Sequence, residues 1–158
     1  MIRKFFIYLS ISIVFSSCGR QPYQKFEKVD NKIWNYTSPQ PFVVEIKDPG
    51  SYRLHVQLRY SQDYPYSNIW VGLTEKKPDN SEEKIRLNIP LFDVQGKPYG
   101  SFAGKFFDRS YPDAEVDGKD LTLSFSKAGQ YTLTLQHNMR IDALAGISEI
   151  GIRLKGVQ

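Results

Sequence analysis

Residues 51–60 read SYRLHVQLRY, and this stretch decides the fold. Aromatic or aliphatic side chains occupy every second position from Tyr52 to Tyr60, and Arg, His or Gln fill the positions between them. Successive side chains of a β-strand point to opposite faces, so the pattern predicts a strand with one buried face and one wet, cationic face. The Asp-Pro-Gly sequence at residues 48–50 is a turn signal just before it. The pattern predicts a structure and indicates no catalytic reaction.

The same alternation recurs along the chain. It predicts further strands at 33–37, 42–46, 68–74, 84–91, 101–108, 121–126, 131–141 and 150–154, with Gly104 as a candidate bulge. Turn residues separate these strands, and no convincing helical period appears between them. Residues 33–158 are therefore expected to form a single all-β domain, an antiparallel β-sandwich with jelly-roll or Greek-key-like connections.

Composition excludes several classes of protein. The chain has 158 residues, 41% of them hydrophobic and 24% charged, which is typical of one folded domain. Removing Arg3 and Lys4 of the leader from the net charge of +4 leaves +2 for the rest. No run of Lys or Arg forms a stripe, so nucleic acid is not an expected partner.

Residues 1–17 have the parts of a secretory signal peptide, namely a basic start, a short apolar run and small residues before Cys18. The apolar run is far shorter than the roughly 20 residues that span a bilayer. Small residues directly before a cysteine resemble a bacterial lipobox, which predicts acylation of Cys18, for example by palmitate, and a membrane anchor. A core helix and a cleaved signal without lipid are the alternatives.

Residues 18–32 are polar and weakly patterned, so we expect them to form a tether between the lipid and the domain. Cys18 is the only cysteine, so an intrachain disulfide and a thiolate zinc site are both excluded. No acidic cluster directly follows Cys18. This favours a position facing the periplasm over export to the outer surface. We expect the protein to be lipid-anchored in the cell envelope, on the outer membrane.

Several blocks of sequence, in this order, resemble the gliding motility-associated lipoprotein family called GldH. They are Cys18, the segment around Trp34, residues 60–70 with Tyr64-Pro65-Tyr66-Ser67-Asn68-Ile69-Trp70, residues 96–100, and the carboxyl-terminal block from Gly129 to Gly151. The resemblance implies an envelope lipoprotein of the gliding machinery and of the protein secretion system coupled to it. It implies other envelope proteins as partners, and neither an enzymatic activity nor a cofactor.

The acidic segment Asp113-x-Glu115-x-Asp117-Gly118 imitates the first half of a calcium loop. A bidentate acid should follow at the twelfth position, where this chain has Ser124. The alternative interpretation is a solvated turn, for which Asp117-Gly118 is suited. The calcium candidate therefore consists of Asp113, Glu115 and Asp117. The preferred interpretation is that this segment binds no metal.

Aromatic residues near the loops are the second candidate surface. They are Tyr64, Tyr66, Trp70, Tyr99 and Tyr111. Exposed rings suit either a protein partner or the stacking of sugar faces, so a carbohydrate-binding lipoprotein is the alternative function. Plain structural packing is the third interpretation of these rings.

Three further polar residues have open roles. His55 has the parity of the wet face, and His137 has core parity, where a buried histidine bonded to tyrosine or backbone is preferred over a metal ligand. Arg140 can pair with a carboxylate, and we expect an internal salt bridge in preference to a partner contact. No G-x-S-x-G or H-E-x-x-H motif occurs, and no enzyme is predicted.

Overall fold

The computed structural model describes residues 22–157, so the expected signal peptide and Cys18 lie outside the described residues. The strands are β1 (Tyr23–Lys28), β2 (Ile33–Asn35), β3 (Gln40–Ile46), β4 (Gly50–Ser61), β5 (Asn68–Lys76), β6 (Glu82–Pro90), β7 (Ser101–Ala103), β8 (Phe106–Tyr111), β9 (Thr122–Phe125), β10 (Gly129–His137), β11 (Ala143–Ala145) and β12 (Ile147–Gly156). A 3-10 turn spans Asp30–Lys32, and helix α1 spans Ala114–Asp117.

The strands form two main antiparallel sheets and one small ribbon. The first sheet has the order β1-β12-β4-β8-β7, with β9 also pairing with β4, and the second has the order β3-β10-β5-β6. Strands β2 and β11 make the ribbon. In both sheets, strands distant in sequence are neighbours, as crossover connections between two packed sheets require. The all-β sandwich expected from the sequence is confirmed.

Strand β4 lies at the centre of the first sheet, as residues 51–60 predict. Its apolar side chains at alternate positions are at most 4% exposed, from Tyr52 to Tyr60. The residues between them are half-buried on the outer face, where Arg59 pairs with Asp108 and Glu149. Because β4 pairs with β12, β8 and β9, it sets the positions of most strands in this sheet.

The core lies between the inner faces of the two sheets. The largest of its fully buried side chains are Trp34, Tyr60, Tyr131, Phe42, Phe125, Leu54, Leu58, Ile69, Leu73, Ile89, Leu91 and Leu133. They come from both sheets, from the β2–β11 ribbon and, for Leu91, from the loop after β6, so one continuous core holds these elements together.

The first correction concerns the expected tether over residues 18–32. Residues 23–28 of that range form β1, which pairs along β12 from Tyr23 opposite Leu154 to Lys28 opposite Glu149. The folded domain thus begins before the expected boundary at residue 33. The sequence of β1 shows no apolar–polar alternation because Phe26 lies on the outer face, over Gly151. Lys25 and Glu27 have the inward parity at the sheet edge, and their side chains pair with each other at 2.7 Å.

Two expected strands also have different limits. Residues 101–108 are a hairpin, β7 and β8, whose turn contains Gly104 with φ +70°, so Gly104 is not a bulge within one strand. The strand expected over 131–141 ends at His137. Asn138 still lies in register opposite Trp70 and donates its backbone N–H to the Trp70 carbonyl at 2.7 Å. The Trp70 N–H instead goes to the sulfur of Met139 at 3.3 Å, so the ladder ends at this pair.

The strand register shows which turns and loops lie at each end of the sandwich. At the basal end, β1 begins at Tyr23, and two short turns, residues 47–49 and 126–128, link the sheets. At the distal end lie the loops 62–67, 91–100 and 138–142, after the ends of β4, β6 and β10. The loops that contain Tyr64, Tyr66, Tyr99 and Arg140 therefore lie at the end opposite the first described residues.

Candidate functional site

The aromatic candidates divide into buried and accessible rings. Tyr64 is 5% exposed and donates its hydroxyl to the carbonyl of Asn68 at 3.1 Å, and burial raises its pKa. Tyr111 is 2% exposed. Tyr66 is 38% exposed and packs edge-on against Tyr64, with ring centres 5.8 Å apart. The expected aromatic surface is thus reduced to Tyr66, with Tyr99 and Trp70 partly covered.

A buried ion pair occupies the space beside Tyr99 and Tyr111. The Arg109 guanidinium donates to both carboxylate oxygens of Asp117 at 2.7 Å and to the backbone carbonyls of Ser110 and Pro90 at 2.7 and 3.2 Å. The side chains of the pair are 2% and 5% exposed. The same guanidinium lies 5.5 and 5.6 Å from the ring centres of Tyr99 and Tyr111. This arrangement fixes residues 112–117 against the end of β8.

The calcium candidate does not assemble. Asp117 is committed to Arg109 and also accepts the backbone N–H of Asp113 at 2.6 Å. Asp113 caps helix α1, where its carboxylate accepts from the backbone of Glu115 and Val116. Across residues 22–157, no three His, Cys, Asp or Glu side chains lie close enough together to hold a metal ion. The acidic segment is thus a capped turn built around a buried arginine.

A cleft lies at the distal end, on the outer face of the second sheet. Its volume is about 540 Å³, and its lining is Tyr36, Arg86, Asn138, Met139, Arg140, Ile141 and Asp142. We call it the Arg86–Arg140 cleft. Five of these residues belong to the loop 138–142, which lies where the sequence pattern predicts a continuing strand.

Backbone contacts hold that loop over the sheet. Met139 accepts the backbone N–H of Trp70 through its sulfur at 3.3 Å, and Tyr36 donates its backbone N–H to the carbonyl of Asp142 at 2.7 Å. Gly72 makes the close approach possible, because a Cβ there would stand 2.9 Å from the Asn138 side-chain amide. The loop is thus attached both to β5 and to the segment after β2.

Trp70 lies on this outer face, as its parity predicts, but it does not offer a bare ring. The guanidinium of Arg86 lies over it, 4.4 Å from the ring centroid. Neither Arg86 nor Tyr36 was expected in a site from the sequence. Arg86 could be placed here only from the strand register. It lies opposite Gly72, in the pair next to Trp70–Asn88 on the same face of the sheet.

The prediction that Arg140 forms an internal salt bridge is wrong. No carboxylate among residues 22–157 lies within ion-pair distance of Arg140, and the side chain is exposed. Arg53, Arg59 and Arg109 each pair with an acid inside the fold. Arg140 therefore remains available for a carboxylate outside the domain.

His137 is fully buried beneath the cleft, as its parity predicts. Its ring meets the rings of Trp34 and Tyr36 edge-on at 5.4 and 5.9 Å. Burial lowers the pKa of His137, against opposing effects from backbone groups of Asp142 and Trp34. His55 is half-buried, and its Nδ1 lies 2.8 Å from the carbonyl of Pro112. His137 is buried as expected, but neither of its ring nitrogens has a hydrogen-bond partner among residues 22–157, so the expected bond to tyrosine or backbone is absent.

Within the described range, residues 22–157, the protein has no helix of sufficient length and apolarity to span a membrane. The family model described as GldH lipoprotein matches residues 21–154. A relative from Christiangramia forsetii, described as a gliding motility lipoprotein GldH homolog, is 27% identical over 159 aligned residues. The alignment covers 95% of this chain and 93% of the relative.

Two solved structures resemble the fold more distantly. The structure of Eiger TNF from S. frugiperda has a TM-score of 0.48 at 13% identity, covering 89% of this chain and 94% of that chain. The Yersinia pseudotuberculosis-derived mitogen has a TM-score of 0.38 at 7% identity, covering 88% of each chain. Both scores are too low to support a conclusion about fold or function.

Proposed function

This chain belongs to the GldH lipoprotein family, and from that premise we propose that it is a non-enzymatic interaction component of the gliding machinery and of the secretion system coupled to it. The coarser part follows from membership, because the family is described as GldH lipoprotein and the relative as a gliding motility lipoprotein. A lipoprotein is held by its lipid in the cell envelope. The assignment to secretion, the outer membrane and the periplasmic side belongs to the proposal.

The observation that carries the proposal is the polarity of the domain. Cys18, the proposed acylation site, is separated from Tyr23 by residues 19–22 only. Covalent geometry limits that separation to roughly 17 Å, so the basal end is held close to the membrane surface. The 12 residues of β4 extend roughly 40 Å from the basal to the distal end. The distal loops and the Arg86–Arg140 cleft therefore face away from the anchor.

Anchoring makes a modest docking surface sufficient. A lipid anchor confines the protein near its membrane partners, which raises the effective concentration and allows binding without a large interface. Each acyl CH₂ group buried contributes about 0.8 kcal/mol, and stable attachment requires more than a single chain. We therefore propose that acylated Cys18 supplies the membrane affinity and that the distal end supplies the partner contacts.

A protein partner is favoured over a carbohydrate ligand by the positions of the aromatic rings. Sugar stacking requires an open ring face, whereas Tyr64 and Tyr111 are buried and Arg86 covers Trp70. Tyr66 and Tyr36 are exposed at the distal end, at 38% and 44%. Rings with accessible edges between polar groups are typical of protein interfaces.

The anchor is tested by Cys18→Ala in the natural organism. We expect the variant to lose metabolic labelling by a clickable palmitate analogue, to leave the membrane fraction and to lose function in gliding. Its melting temperature in detergent should equal that of the wild-type protein, because Cys18 precedes β1. Undiminished acyl label would refute the anchor, and normal secretion in a strain lacking the gene would refute the role in secretion.

A further inference from the structure

We propose that the Arg86–Arg140 cleft binds the carboxylate side chains of an acidic segment on a partner protein. The inference rests on the proposed function, because it names the chemistry of the partner that the distal end would recognise. It goes further in assigning that recognition to two arginines and to one loop of the domain.

The charges of the cleft point to an anionic ligand. No ion pair among the described residues includes Arg86 or Arg140, although both line the same 540 Å³ space. Asp142 also lines the cleft, so the two cations and one acid leave a local charge of +1. Such a balance suits a singly charged carboxylate better than a doubly charged phosphate monoester.

Arg86 is already in position to bind. Its guanidinium is held over the Trp70 ring, which reduces the conformational freedom that a free arginine would lose on binding. A guanidinium offers two parallel N–H donors that match the two oxygens of a carboxylate. Arg86 is exposed, so this edge can reach a ligand.

The opposite wall of the cleft is also held in place. Asn138 and Met139 are bonded to the backbone of Trp70, and Asp142 is bonded to the backbone of Tyr36. The Gln136 side chain donates to the Tyr36 carbonyl at 2.7 Å, which ties the same wall to β10. Arg140 therefore extends from a loop attached at both of its ends.

The position of the cleft favours protein over lipid. Membrane phosphates would meet the basal end, where the chain enters the fold at Tyr23, whereas the cleft lies at the distal end. A volume of about 540 Å³ falls in the range of ordinary ligand clefts and has room for more than one side chain of a bound peptide. An acidic segment of an envelope protein satisfies both conditions.

The test measures fluorescence anisotropy with the full-length protein in non-ionic detergent. The probes are a fluorescein-labelled glutamate-rich peptide and the same peptide with glutamine at every glutamate position. We expect saturable binding of the glutamate peptide only, weakened by added salt. Arg86→Gln and Arg140→Gln should each lower the affinity roughly tenfold.

The matched control is Lys84→Gln, which removes one positive charge from the same strand at a side chain that is 73% exposed and outside the cleft. We expect it to change the affinity by less than about twofold. Equal binding of both peptides, no binding of the glutamate peptide, or a Lys84→Gln effect as large as that of Arg86→Gln would overturn the proposal. If the glutamate peptide does not bind, but isothermal titration calorimetry detects inorganic phosphate binding to the wild-type protein and not to Arg86→Gln, the cleft is assigned to phosphate instead.

Failure here is separable from failure of the proposed function. The Cys18→Ala protein, which lacks the anchor, should still bind the glutamate peptide, because the cleft lies at the other end of the domain. A cleft variant should conversely keep its acyl label and its place in the membrane fraction. Loss of peptide binding in Cys18→Ala would contradict the separation of cleft and anchor.

Discussion

Replacing Arg109 by methionine is expected to lower the free energy of unfolding by about 3–5 kcal/mol. The substitution leaves the Asp117 carboxylate nearly buried without its cation and also removes the donors to the Ser110 and Pro90 carbonyls. Removing one partner of a buried pair costs more than the pair itself contributes, because an uncompensated charge remains in a poorly hydrated site. Urea denaturation followed by tryptophan fluorescence measures the loss.

Arg59→Met is the control for this prediction. It removes the same charge from a pair with Asp108 and Glu149, but Arg59 is 35% exposed and its partners are 40% and 24% exposed. Water can solvate the acids that are left, so we expect a loss of only about 1 kcal/mol. Equal losses for the two variants would show that the Arg109–Asp117 pair is not a buried pair in solution.

Trp34→Ala is the second substitution with a large expected effect, again a loss of about 3–5 kcal/mol in the free energy of unfolding. Trp34 is 1% exposed, and its ring packs edge-on against His137. It is the buried residue through which β2 joins the core, with Leu144 opposite it on β11. Removing the indole ring leaves a cavity under the β2–β11 ribbon, and the ribbon itself ends beside the Arg86–Arg140 cleft. Urea denaturation gives the size of the loss.

Trp70→Ala is the matched control, because it deletes the same side chain from the outer face of the second sheet. Its ring is only partly buried, so we expect a loss of about 1–2 kcal/mol in stability. The variant should instead weaken peptide binding, since Arg86 loses the ring on which it lies. A Trp70→Ala protein as unstable as Trp34→Ala would contradict the placement of Trp34 in the core and of Trp70 on the outer face.

Alternating side chains made most strands predictable from sequence. The pattern succeeds where one face of a strand meets the core, as it does from Tyr52 to Tyr60. It fails for β1, where the apolar Phe26 packs on Gly151 outside the sandwich, while Lys25 and Glu27 have inward parity. An edge strand with charges on its inner parity has no alternation to detect.

The candidate site was only partly predictable, because its contacts are set by tertiary structure. Apolar parity continues through Met139 and Ile141, so the sequence cannot indicate that the Met139 sulfur takes the Trp70 N–H and ends the ladder. The role of Arg109 had a signal that was missed. It lies between Phe107 and Tyr111 on the inward parity of β8, and a buried arginine requires a nearby acid such as Asp117.

The central claim is that partners bind the distal end while lipid holds the basal end. Site-specific photo-crosslinking in intact cells tests it most directly, with the photoreactive residue placed at Tyr66 in the distal loops or at Lys127 in a basal turn. We predict adducts with other envelope proteins from position 66 and none of comparable yield from position 127. Protein adducts from position 127 alone would contradict the claim.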